Sequence, residues 1–156
     1  MISHLTIWTE QGPKSINTIE WTYFDKTKLV VRKQGQPNVE YNENSTIKCQ
    51  WYVNGKLHRE EGPAMLLYDN SEEWYIDGLL HRENGPAINH ANGHHEWYLH
   101  GNLHRLDGPA IEYNNGGEWW INDCKLNTEV VEAWLEENNI NLSTTEGQMA
   151  FKIRFT

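Results

Sequence analysis

Cysteine is scarce in this chain: Cys49 and Cys124 are the only two among 156 residues. They fall at different positions of the internal pattern described below, so no spacing pairs them or builds a zinc site, and both read as free thiols of a reducing compartment. Basic residues are few as well, 13 Lys and Arg against 22 Asp and Glu, for a formal charge of -9. That balance repels phosphate backbones and argues against direct nucleic-acid binding. Long apolar runs are missing too. The longest covers residues 64–68, far short of a membrane span, and the first ten residues have neither the basic nor the apolar stretch of a secretion signal. A cytoplasmic protein with no membrane contact is expected. Enzyme signatures are also missing: no phosphate-cradling glycine loop, no nucleophile elbow, no HExxH and no isolated carboxylate pair. The expectation is a non-catalytic protein that needs no cofactor.

What the chain has is aromatic surface. It carries 8 Trp and 7 Tyr although hydrophobic residues make up only 38%. A disordered chain has few aromatics, so this one folds, with a thin core, and its length suits one domain over residues 1–156.

The aromatics are periodic. Copies of a unit of about 23 residues begin at Trp51 (WYVNGKLHREEGPAMLLYDNSEE), Trp74 (WYIDGLLHRENGPAINHANGHHE) and Trp97 (WYLHGNLHRLDGPAIEYNNGGE), the last shorter by one residue, and Trp119-Trp120-Ile121-Asn122-Asp123 opens a half copy. Each unit starts with a β-prone aromatic segment that meets Asn54-Gly55, Asp77-Gly78, His100-Gly101 or Asn122-Asp123, pairs that tolerate the positive φ of a tight hairpin turn. Leu-His-Arg returns from the turn. Gly62-Pro63, Gly85-Pro86 or Gly108-Pro109 then redirects the chain, since proline has no N–H for a ladder and belongs at a strand start or edge. Another short strand follows, and Asp69-Asn70, Asn92-Gly93 or Asn115-Gly116 turns it into the next unit.

A unit this small buries little by itself, so copies stack and equivalent residues line up in rows. Trp51, Trp74, Trp97 and Trp119 form one row; Tyr52, Tyr75, Tyr98 and Trp120 form its neighbour. By the two-residue period of a strand the rows face opposite ways, one core and one surface. Residues 1–50 read as eroded repeats forming an N-terminal cap: Gly12-Pro13 precedes Ile19-Glu20-Trp21, and Gly35-Gln36-Pro37-Asn38-Val39-Glu40-Tyr41 parallels Gly108-Pro109-Ala110-Ile111-Glu112-Tyr113. The repeats occupy residues 51–126. From residue 127 to 156 the period becomes helical. Val130, Val131, Trp134 and Leu135 share one face, Glu129, Glu132, Glu136 and Glu137 fall elsewhere, and Asn127 or Thr128 is the N-cap. Ser143 with Glu146 signals a second, short helix, although residues 151–155 also alternate like a strand. The fold class is thus mainly β, a single elongated antiparallel sheet of repeated hairpins capped by C-terminal helix.

The unit resembles the MORN repeat, most closely at Trp74-Tyr75, Gly78, His81, Gly85 and Gly93 and their equivalents. Its His-Arg-x-x-Gly-Pro-Ala phrase is similar to repeats of phage, large DNA virus and bacterial proteins. The resemblance implies a sheet of successive hairpins, a role in protein–protein contact, a viral or phage origin with a host cytoplasm as its place, and no catalytic residues. The lipid contact linked to such repeats is disfavoured by the acidic charge.

Three sets of residues are candidates for binding. His58-Arg59, His81-Arg82 and His104-Arg105 would stack into rows of imidazoles and guanidiniums, a groove for a nucleotide or other anion. Residues repeated in every unit more often maintain the repeat, here by pairing each Arg with Glu73, Glu96 or Glu118, or with Glu60, Glu83 or Asp107. The aromatics Tyr52, Tyr75, Tyr98 and Trp120 suit a protein interface, where Trp, Tyr and Arg dominate. His90, His94, His95 and His100 break the pattern around Trp97. With no Cys or acidic ligand at a recognised spacing, they read as solvated turn histidines and no metal site is assigned. The expected function is an interaction module whose repeat face binds, and inhibits, a partner protein such as a host defence protein. A nucleotide or anion sink and an acidic mimic of nucleic acid are the alternatives. The edges of an open array also invite pairing with a second copy.

Overall fold

The computed structural model describes residues 45–156, together with the backbone of the strands Leu5–Thr9, Gly12–Ile16, Trp21–Asp25, Lys28–Arg32 and Val39–Glu40. The chain is mainly antiparallel β, ending in two helices. Its centre is an eight-stranded sheet that runs, in chain order, Val39–Glu40, Ile47–Gln50, Met65–Leu67, Glu72–Glu73, Ile88–Asn89, His95–Glu96, Ile111–Tyr113 and Gly116–Glu118. Val39–Glu40 pairs with Ile47–Gln50, so the sheet extends upstream of Trp51, as the likeness of Val39-Glu40 to Ile111-Glu112 predicts. Gly12–Ile16 pairs with Leu5–Thr9 and Trp21–Asp25 with Lys28–Arg32 as two further hairpins, while Ile19, Glu20, residues 33–38 and Tyr41 of the upstream reading lie outside the described residues.

The expected elongated antiparallel sheet is present, and the repeat adds a second tier of hairpins to it. Tight loops at residues 68–70, 91–93 and 114–115 connect strands of the main sheet, and the residue missing from the third unit is missing from its loop. At the other connections the chain leaves the main sheet at the tryptophan and makes a two-stranded hairpin. These hairpins pair Tyr52–Val53 with Lys56–Leu57, Tyr75–Ile76 with Leu79–Leu80, Tyr98–Leu99 with Asn102–Leu103 and Trp120–Ile121 with Cys124–Lys125. Both central residues of every turn lie at positive φ: 51° and 75° at Asn54-Gly55, 52° and 84° at Asp77-Gly78, 52° and 86° at His100-Gly101, 48° and 62° at Asn122-Asp123. This type I′ geometry matches the twist of the flanking strands. Successive hairpins are stitched by backbone bonds, Arg59 N to Tyr75 O (3.1 Å), Gly78 N to Leu57 O (2.8 Å) and their equivalents in each later unit.

The junction between tiers holds the most buried row. Trp51, Trp74 and Trp97 donate their backbone N–H to Ala64, Ala87 and Ala110 O at 2.7 to 2.8 Å, and these alanines are 0% exposed. The division into a core aromatic row and a surface aromatic row is corrected: both rows are half-buried along most of their length, and among them only Trp119 is buried.

Helix α1 (Thr128–Glu137) is capped by the Asn127 side chain, which accepts from Val130 N, and α2 (Thr145–Phe155) by Thr144, one residue beyond the expected Ser143. The helices pack on the last hairpin, where Trp119, Ile121, Val131 and Phe151 form a buried cluster flanked by Leu106, Leu126, Trp134, Leu135, Leu142 and Phe155. Val130, placed on the packing face from sequence, is instead exposed, because Val131 and Trp134 already fill the contact. Residues 151–155 are helical, so their alternation does not make a strand. No helix among the described residues is long and apolar enough to cross a membrane.

Candidate functional site

The guanidinium row is occupied by the protein's own aromatics. Arg59, Arg82 and Arg105 lie over the rings of Trp51, Trp74 and Trp97 with Cζ 4.0, 3.8 and 3.8 Å from the ring centroids. Each also donates from Nη1 to the prolyl carbonyl four residues on, at Pro63 (3.2 Å), Pro86 (3.1 Å) and Pro109 (3.0 Å). The glycine of each Gly-Pro-Ala phrase makes room for this arm: a Cβ at Gly62, Gly85 or Gly108 would meet the arginine Cζ at 2.7, 3.1 or 2.9 Å. The sequence pairing of these arginines with Glu73, Glu96 and Glu118 is corrected, since those carboxylates take other donors. Of the alternatives, Arg105 does pair with Asp107 at 2.7 Å, and it also reaches Glu112.

The second aromatic row is tied down in the same way. Tyr52 OH donates to Gln50 Oε1 (3.0 Å), Tyr75 OH to Glu73 Oε2 (2.8 Å), Tyr98 OH to Glu96 Oε2 (2.9 Å) and Trp120 Nε1 to Glu118 Oε2 (3.1 Å). Each acceptor is the last residue of a main-sheet strand and each ring the first of the hairpin that follows, one tryptophan apart. Burial, and then the adjacent glutamate, push the Tyr75 and Tyr98 hydroxyls far up from the usual tyrosine range, so both remain protonated donors.

The histidine row is a unit-to-unit lock. Nδ1 of His58, His81 and His104 accepts the backbone N–H of Asp77 (3.1 Å), His100 (3.1 Å) and Asn122 (3.3 Å), the first turn residue of the next hairpin. His58 also faces the Asp77 carboxylate at 3.0 Å. Burial first, and then His100, lower the His81 pKa against the opposing pull of Glu83; burial and then Lys152 lower that of His104, against its bond to Asn122. Both folded values lie below the ordinary 6.5, so the unfolded chain takes up protons first. Stability is then greatest above about pH 6.5 and declines as pH falls from there toward the folded values. Thermal unfolding followed by circular dichroism should give a lower Tm at pH 5.5 than at pH 7.5. The double variant His81→Asn/His104→Asn, whose amide oxygens accept without titrating, should narrow that difference; an unchanged difference would remove this explanation.

Between successive units the arginine–tryptophan pairs line shallow grooves. One, of about 390 Å³, has Arg59, Trp74, Ile76, His81 and Arg82 in its walls and exposed Glu60, Glu83 and Asn84 at its rim. The next, of about 550 Å³, runs from Arg82 past Trp97 and Arg105 to Gln148 of α2. They share Arg82, Glu83 and Asn84, so they continue one another along the array.

The irregular histidines fall in three places. His90 and His94 oppose each other across loop 91–93, with stacked rings 5.1 Å apart. His95 lies edge-on to Trp97 at 6.2 Å, and His100 sits on a hairpin turn with its ring 4.4 Å from His81. Neither joins the His90–His94 pair. The residue that does is Glu96, a repeated carboxylate that sequence reading assigned to an arginine; its signal was its position two residues from both His94 and Tyr98. No family model matches this chain, and no curated protein or solved structure shows significant similarity to it.

Proposed function

We propose that the chain is a non-catalytic protein-interaction module of MORN-like repeats that holds an extended segment of a partner along the grooves between its hairpins. The observation carrying this reading is the run of two open grooves in register, each walled by a tryptophan and arginines and rimmed by acidic residues. Extended peptides use such series of shallow pockets at regular spacing, and interface anchors are enriched in Trp, Tyr and Arg. The acidic rim and the net charge of -9 favour a partner segment carrying Lys or Arg. The anion-sink alternative is weakened because each guanidinium already covers a ring and bonds a prolyl carbonyl. An acidic mimic of nucleic acid rests on charge alone.

Capture from a cell lysate with the native chain and with Glu60→Lys/Glu83→Lys tests the reading. Both positions are exposed, so folding should be unaffected while recovery of a specific partner drops at least tenfold. Equal recovery by both proteins would count against the grooves.

A further inference from the structure

One unit carries a donor set that its neighbours lack. Across the loop 91–93 the chain folds back with His90 N bonded to His94 O (2.9 Å) and Gly93 N to His90 O (3.1 Å), Gly93 taking φ of 86°. The Asn92 side chain accepts His94 N at 3.0 Å and fixes the turn. Glu96 follows His94 by two residues and so lies on the same strand face. Its Oε1 stands 3.6 Å from His94 Nε2 and 4.0 Å from His90 Nε2, and the three donor atoms all lie within 4.8 Å of one another.

These separations are too long for hydrogen bonds, which need roughly 2.7–3.2 Å. They are close to the edge of a tetrahedron around zinc, roughly 3.3 Å for bonds of about 2.0–2.1 Å. His94 Nε2 is buried with no hydrogen-bond partner, a polar atom left to be satisfied by something between it and Glu96. Glu96 is also held in position, since its other oxygen accepts Tyr98 OH at 2.9 Å, the outer support that metal-binding carboxylates use. On its far side His94 stacks on Tyr113 at 4.9 Å, beside an open cleft of about 310 Å³ lined by Asn92, His94 and Tyr113. The equivalents of His90 and His94 are Leu67 and Ser71 in the unit before and Tyr113 and Gly116 in the unit after, although the glutamate recurs as Glu73 and Glu118.

We propose that His90 Nε2, His94 Nε2 and Glu96 Oε1 bind one divalent ion of the zinc type, with a further coordination position left for water. Two imidazoles and one carboxylate suit Zn²⁺ and Co²⁺ over Mg²⁺ or Ca²⁺, which prefer all-oxygen shells. The Glu96 separations need to close by well under 1 Å and that between the two imidazole nitrogens by at most about 1.5 Å, within the reach of rotamer adjustment around a fixed turn.

The test uses the full chain stripped of metal, titrated with Zn²⁺ in a calorimeter and with Co²⁺ by visible absorption. One ion per chain is expected. His94→Ala and His90→Gln should each weaken uptake at least a hundredfold, and Tyr98→Phe about tenfold through the lost support of Glu96. Cys49→Ser/Cys124→Ser should bind as the native chain does. Absence of saturable uptake by the native chain would overturn the assignment, as would undiminished uptake by His94→Ala or loss of uptake in the cysteine double variant. None of these readouts involves a partner, so the proposal fails or holds independently of the groove reading.

Discussion

Phe151→Ala is expected to lower the unfolding free energy by about 3–5 kcal/mol, as the truncation of a fully buried aromatic in the cluster that joins the repeats to the helices. Phe151 is 0% exposed, lies 5.3 Å from the Trp119 ring and 5.0 Å from Phe155, and joins α2 to the last hairpin. Elsewhere the repeat interior is built from alanines and half-buried rings. Urea denaturation of the native chain and the variant measures the loss. Met149→Ala, on the same helix but 60% exposed, should stay within about 0.5 kcal/mol of native. A loss below about 1 kcal/mol for Phe151→Ala would mean that the helical cap does not share the cooperative unit of the array.

Arg59→Ala should cost about 2 kcal/mol, combining the stack on Trp51, worth about 1 kcal/mol when partly desolvated, with the bond to Pro63 O, worth about the same. Arg59→Lys keeps the charge but not the flat guanidinium, and should recover less than half. Gly62→Ala should cost a similar amount by another route. Its Cβ would stand 2.7 Å from Arg59 Cζ, forcing the arm away from both partners. The two changes then remove one and the same arrangement, so Arg59→Ala/Gly62→Ala should cost hardly more than Arg59→Ala alone. A double-mutant cycle in denaturant gives the coupling directly; simple additivity would show that the glycine is there for some other reason.

The repeat, its turns and its helical end were legible in the sequence because each rests on local chemistry. Asn-Gly and Asp-Gly pairs signal their own backbone geometry, and Asn127 announces the first helix through its cap. The two tiers were not legible. They arise where Trp51, Trp74 and Trp97 leave the main sheet, and the bond that marks this, Trp N–H to Ala O, joins residues in the same unit but well apart in the chain. For the candidate sites, recurrence identified the arginine and histidine rows and suggested a scaffold role, but not the partners. The prolyl carbonyls and the turn N–H groups are backbone atoms, invisible in a list of side chains. Glu96 was misassigned for a related reason: charge complementarity pointed to an arginine, whereas its carboxylate reaches its near neighbours in the chain, His94 and Tyr98.

The histidine lock also bears on how such a chain changes length. Each unit presents an imidazole acceptor on one side and a turn N–H on the other, and the stitching from Arg59 to Tyr75 repeats at Arg82 to Tyr98 and Arg105 to Trp120. Two neighbouring copies therefore fit each other as they fit any third. A whole unit inserted or deleted by a duplication or loss in the coding sequence leaves every joint matched, and the one-residue deletion in the third unit does too, because it falls in the loop between main-sheet strands. The half unit at Trp119 is the exception, since its buried cluster with α1 and α2 has no counterpart upstream among the described residues. Variation in copy number is open to the inner units, and the terminus that seals them is fixed.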